Sequence, residues 1–104
     1  MKKGDCFQVA GRLILDRNDE DNWKLVHARV DGQGKLTGQK INHAWVEVNN
    51  FVIDFSNGHS LVIEKEKYYK IANPTDIQKY SVRQAKEEML KSGKFGNWKK
   101  KAHI

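Results

Sequence analysis

From Cys6 to Asp16 the chain has no proline, and its apolar residues Phe7, Val9, Ala10, Leu13 and Ile14 fit one face of a helix. Asp5, just ahead of that run, and Gln8, three residues later, stand at the spacing of a capping box. Gly11 sits inside the helix, where it costs ~1 kcal/mol against alanine, so its value lies in close packing. The polar cluster from Asp16 to Asn22 stops the helix. Trp23 to Val30 then alternates, with Leu25, His27 and Arg29 on one side and Val26, Ala28 and Val30 on the other, which is the period of a half-buried strand. Asp31-Gly32-Gln33-Gly34 is a turn, and Leu36 to Ile41 is a short strand candidate. Leu61 to Glu64 and Tyr68 to Ile71 are read as further strands, and Pro74 as a loop. Ser81 to Lys91 predicts a second helix, with Ser81 and Gln84 as a capping box, Val82, Ala85, Met89 and Leu90 as its apolar stripe, and Ser92-Gly93 as its end. The expected fold is α+β: an N-terminal helix packed on an antiparallel sheet, with a second helix near the C-terminus.

The clearest element lies between these. His43-Ala44-Trp45-Val46-Glu47-Val48 and Phe51-Val52-Ile53-Asp54-Phe55-Ser56 flank Asn49-Asn50, and asparagine tolerates the positive φ of a two-residue hairpin turn. That turn sets residue 48 opposite 51, 46 opposite 53 and 45 opposite 54. Positions 44, 46, 48, 51, 53 and 55 then form one apolar face. His43, Trp45, Glu47, Val52, Asp54 and Ser56 share the other. His43 and Asp54 become diagonal neighbours, with backbones about 7–8 Å apart, so their side chains can meet. A carboxylate on one imidazole nitrogen fixes the tautomer and makes the other nitrogen a better base. The thiol such a base would serve is Cys6, at the start of the first helix, where the helix dipole favours a thiolate.

Composition narrows the classes. The chain of 104 residues is the size of one domain, with 1–104 read as a single unit and 94–104 as a basic tail free to be flexible. No stretch approaches the ~20 apolar residues of a membrane span, and the first residues do not read as a secretory leader. One cysteine excludes an internal disulfide, so a cytoplasmic setting is expected. The four histidines are scattered, with no C-x-x-C and no H-x-x-x-H, and no phosphate-binding or dinucleotide fingerprint occurs, so neither metal nor organic cofactor is expected. His27 is a weaker alternative base, and His59 a surface residue. The net charge of +6 is uneven: Asp16 to Asp21 is acidic, whereas Lys94, Lys99, Lys100 and Lys101 interleave with Phe95 and Trp98. That tail suits contact with a polyanion through Lys99, Lys100 and Lys101, or docking of its aromatic residues on the core.

The strings Gly4-Asp5-Cys6-Phe7, His43-Ala44-Trp45-Val46-Glu47 and Val52-Ile53-Asp54 resemble the papain/transglutaminase-like superfamily of thiol enzymes. The compact size is similar to papain-fold domains of bacterial toxins and to small phage-encoded proteins. The resemblance implies that Cys6 is the nucleophile, His43 the general base and acid, and Asp54 the orienting carboxylate. Trp45, beside these residues on the hairpin face, would either wall a substrate pocket or simply pack the core. The glutamine that papain-like enzymes place ahead of their cysteine has no counterpart in residues 1–5, which leaves backbone N–H groups at the helix start, or Gln8, to hold an oxyanion. The function implied is a thiol-dependent acyl hydrolase or transferase, of protease, amidase or deamidase type, acting on a peptide, protein or small amide. The first alternative is a non-catalytic binding module of the same fold that uses its basic surface on nucleic acid or an acidic protein. The second is a toxin-like effector that attacks RNA through His43.

Overall fold

The computed structural model describes residues 5–56 and 60–98. Three helices and five strands run in the order α1 (Cys6–Leu15), β1 (Trp23–Asp31), β2 (Lys40–Val48), β3 (Phe51–Asp54), β4 (Leu61–Glu64), α2 (Lys65–Ala72), β5 (Thr75–Ser81) and α3 (Val82–Ser92), with a 3-10 turn over Gly34–Leu36. The strands form one antiparallel sheet in the order β4-β3-β2-β1-β5. The architecture is the expected α+β one, with α1 on the sheet and α3 near the C-terminus.

The hairpin has the register that its turn dictates. Val48 pairs with Phe51, Glu47 with Val52 and Val46 with Ile53. Asn49 takes the left-handed conformation at φ 53°, which asparagine accepts at small cost. Both faces of the sheet are covered, and this the alternation in β1 and β2 did not disclose. On one face Leu25, Ala44 and Val46 pack with Ala10 and Ile14 of α1 and with Val82 and Ala85 of α3. On the other, Val26, Ala28, Val30, Trp45 and Val52 pack with Tyr68 and Ala72 of α2. The face expected to be polar and half-buried is therefore a second core. The face expected to be wholly apolar leaves Phe51 and Phe55 exposed near its edge.

Several local expectations need correction. Tyr68 to Ile71 is not a strand but the body of α2. Two tyrosines and an isoleucine have strand propensity, yet Tyr68 and Ala72 stand four apart and are buried together. Asn73, at φ 49°, caps the C-terminus by donating its N–H to the Tyr69 carbonyl, and Pro74 follows. Leu36 to Ile41 is not one strand: Leu36 ends the 3-10 turn, and β2 begins at Lys40. The stretch after Pro74 is strand β5, paired to β1. Asp5 occupies the N-cap of α1 but makes no side-chain cap, so the expected capping box with Gln8 does not form. The box on α3 does form: Gln84 N–H donates to Ser81 Oγ at 3.1 Å, and Ser81 N–H to Gln84 Oε1 at 3.0 Å.

Gly11 earns its place through Phe95. A Cβ at Gly11 would come within 2.6 Å of the Phe95 ring. Phe95 and Trp98 thus dock the start of the basic tail, and Trp98 is buried against Tyr80 and His27. Lys99, Lys100 and Lys101, assigned to polyanion contact, lie outside the described residues, as does His59. No helix among the described residues is long and apolar enough to cross a membrane.

Candidate functional site

The β2–β3 ladder runs from the turn only as far as Val46 and Ile53. Beyond that pair β3 continues to Asp54 alongside β4, where Asp54 pairs with Leu61. The N-terminus of α1 sits where the ladder stops. Cys6 shares a tight recess there with Ala44, Trp45, Ile53 and Asp54. The helix holds its first residue in that place because Ala10 and Ile14, one and two turns on, are locked into the core beneath.

His43 and Asp54 meet as the hairpin geometry requires. His43 Nε2 lies 2.8 Å from Asp54 Oδ2, and both side chains are buried. Asp54 accepts three more hydrogen bonds. Tyr68 Oη donates to Oδ2 at 2.8 Å, Ser56 Oγ to Oδ1 at 2.6 Å, and Ser56 N–H to Oδ1 at 3.2 Å. Burial alone would raise the Asp54 pKa. The His43 bond and charge, with the Ser56 and Tyr68 bonds, outweigh it and bring the value down to about 2. Asp54 is therefore a carboxylate at neutral pH, and Nε2–H of His43 is the donor in the pair. Burial would lower the His43 pKa as well, but hydrogen bonds to Asp54 and Cys6, with their charges, raise it to about 9. With Nε2 given to Asp54, Nδ1 is the nitrogen left for the Cys6 sulfur. The Tyr68 hydroxyl is pushed above its ordinary range, first by burial and then by the Asp54 charge, so it remains a donor.

The structure thus brings Cys6, His43 and Asp54 together, with His43 hydrogen-bonded to Asp54. The thiol is covered, with Cys6 only 4% exposed. A cleft of about 340 Å³ opens beside the set and is lined by His43, Asp54 and Tyr68, but not by Cys6. Trp45 lies next to His43, with ring centroids 5.9 Å apart, and is itself fully buried. Its indole N–H donates to Glu47 at 3.0 Å, so it packs the second core and does not wall the cleft. Gln8 is exposed on α1 and does not line the cleft either. His27 is buried among Phe7, Tyr80 and Trp98, and neither ring nitrogen has a hydrogen-bond partner. Burial lowers its pKa to about 4. It has no orienting carboxylate of the kind Asp54 gives His43.

Two members of the site escaped sequence reasoning. Ser56 follows Asp54 by two residues, a spacing at which an Asx side chain commonly accepts a backbone N–H. Tyr68 reaches Asp54 only because residues 65–72 are helical. Glu47, on the same face as His43, accepts from Trp45 and Tyr69 and pairs with Lys79 at 3.0 Å. It thereby ties α2 and β5 to the hairpin. No cluster of three or more His, Cys, Asp or Glu among the described residues could hold a metal ion. Comparison of the chain with protein-family models, with curated proteins and with solved structures finds no match in any of the three.

Proposed function

We propose that the protein is a thiol-dependent acyl hydrolase or transferase in which Cys6, His43 and Asp54 form the catalytic triad. The observation that carries this reading is the buried 2.8 Å contact between His43 Nε2 and Asp54 Oδ2, with Cys6 beside the pair. In this reading His43 takes the proton of the Cys6 thiol through Nδ1. The thiolate attacks the carbonyl carbon of an amide or ester, forming a C–S bond as the carbonyl electrons move onto oxygen. N–H groups of the first turn of α1, which have no acceptor within the helix, are available to that oxyanion. The tetrahedral species collapses, the bond to the leaving group breaks, and His43 returns the proton to it. Water or an amine, deprotonated by His43, then releases the acyl group from sulfur.

The second reading, a binding module of the same fold, is favoured by one observation, the burial of Cys6. Alkylation separates the two. In the enzyme reading, iodoacetamide modifies Cys6 across about pH 4 to 9, and His43→Ala slows the acid part of that range at least tenfold. A thiol that is inert throughout, or indifferent to His43, would leave the binding module as the better account.

A further inference from the structure

The cleft beside His43 has walls with a consistent chemistry. Leu36 from the 3-10 turn, Leu61 from β4 and Ile71 from α2 come from three separate segments, are 42%, 36% and 59% exposed, and all line it. Val30 and Ile41 line it as well. Large apolar side chains left accessible singly are ordinary, but three converging on one concavity mark a binding surface.

The polar groups of the cleft are already engaged. Asp31 is paired with Lys40 at 3.0 Å and accepts from Asn73. Gln33 donates to the Asp31 carbonyl at the rim. Asp54 accepts from His43, Tyr68 and Ser56, and the Tyr68 hydroxyl is spent on Asp54. A charged or amide group lodged here would lose water and find little in return, whereas an aliphatic group would cover exposed hydrocarbon. The backbone beside the cleft suggests what carries that group. β4 is the last strand of the sheet, and its outer edge has no strand partner among the described residues. A peptide can pair with such an edge while an alternate side chain turns into the neighbouring cleft.

We infer that the cleft formed by Leu36, Leu61 and Ile71 binds a leucine- or isoleucine-type side chain of a peptide substrate. The inference rests on the thiol-enzyme reading for its meaning, since it places that side chain next to His43. Its test needs no turnover. The full chain is titrated with N-acetyl-Ala-Leu-Ala-amide, with the same peptide carrying aspartate in place of leucine, and with butyramide as a short alkyl chain without the peptide backbone, while methyl resonances are followed by NMR. The leucyl peptide is expected to shift the Leu36, Leu61 and Ile71 methyls and to bind about tenfold or more tighter than either other probe. Ile71→Asp, at a position exposed enough to accept a charge, is expected to abolish that preference. Equal affinity for the aspartyl peptide, equal affinity for butyramide, shifts confined to other surfaces, or no binding by any probe would each overturn the inference. None of these results bears on the triad itself, which Cys6 alkylation reads without an occupant in the cleft.

Discussion

Asp54 Oδ2 serves two donors, His43 Nε2–H and Tyr68 O–H, each at 2.8 Å. The tyrosine drains charge from the same oxygen that steadies the imidazolium, so it moderates His43. A hydrogen bond to a carboxylate favours the ionised form and lowers its basicity. Tyr68→Phe is therefore expected to move the His43 titration upward from about 9, by about half a pH unit or more. Nitrogen-15 NMR of the imidazole reads this directly. The sign is diagnostic: if Tyr68 only kept α2 in place, its loss would loosen Asp54 and move His43 down. The His43–Asp54 pair itself was legible in the sequence, because a two-residue turn fixes which side chains share a face. The Tyr68 contribution was not, because it depends on a helix that eight residues rich in lysine and tyrosine do not announce by apolar periodicity.

At the scale of elements, α1 matters most, since it places the thiol. Its position depends on a glycine that is unfavourable to the helix taken alone. Gly11→Ala adds about 1 kcal/mol of helix propensity, but the new methyl would meet the Phe95 ring at 2.6 Å. The expected net effect is destabilisation by about 1–2 kcal/mol, seen as a fall in Tm. In a Phe95→Ala background the collision is gone, and the same substitution is expected to stabilise. Thermal melts of the four proteins in that cycle check it; a glycine replacement that destabilises equally with and without Phe95 would deny the contact. The sequence signalled the helix, the hairpin and α3 because each has a period, a turn or a cap strong enough to stand alone. It did not signal β5, whose exposed and half-buried residues follow no clean alternation, nor the covering of the second sheet face. That face holds His43, Glu47 and Asp54, which look like solvent-facing groups until α2 is laid over them.

Across the whole molecule, two buried histidines set opposite limits on stability. His27 has a folded pKa near 4 against 6.5 ordinarily, so its contribution is full above pH 6.5 and is lost as the pH falls toward 4. His43 is raised to about 9, so its contribution is full below pH 6.5 and is lost as the pH climbs toward 9. Asp54, lowered to about 2, keeps its contribution above 3.8 and loses it only as the pH falls through 2. The Tm is thus expected to peak near pH 6.5. His27→Leu should flatten the acid limb and His43→Ala the alkaline limb, each by an effect on the order of 1–3 kcal/mol. Melting curves across pH would show one limb flattened by each substitution; a profile unchanged by either would contradict the assignment of that limb.

The placement of Cys6, His43 and Asp54 along the chain also bears on how the protein is made. Cys6 opens α1, ahead of every strand, while His43 and Asp54 belong to a hairpin that follows β1. During synthesis the thiol therefore leaves the ribosome first and waits, without a base or an orienting carboxylate, until β2 and β3 have emerged and closed. A nascent or truncated chain lacking that hairpin has Cys6 without His43 or Asp54, so under the proposed mechanism the thiol would gain its base only after β3 has emerged.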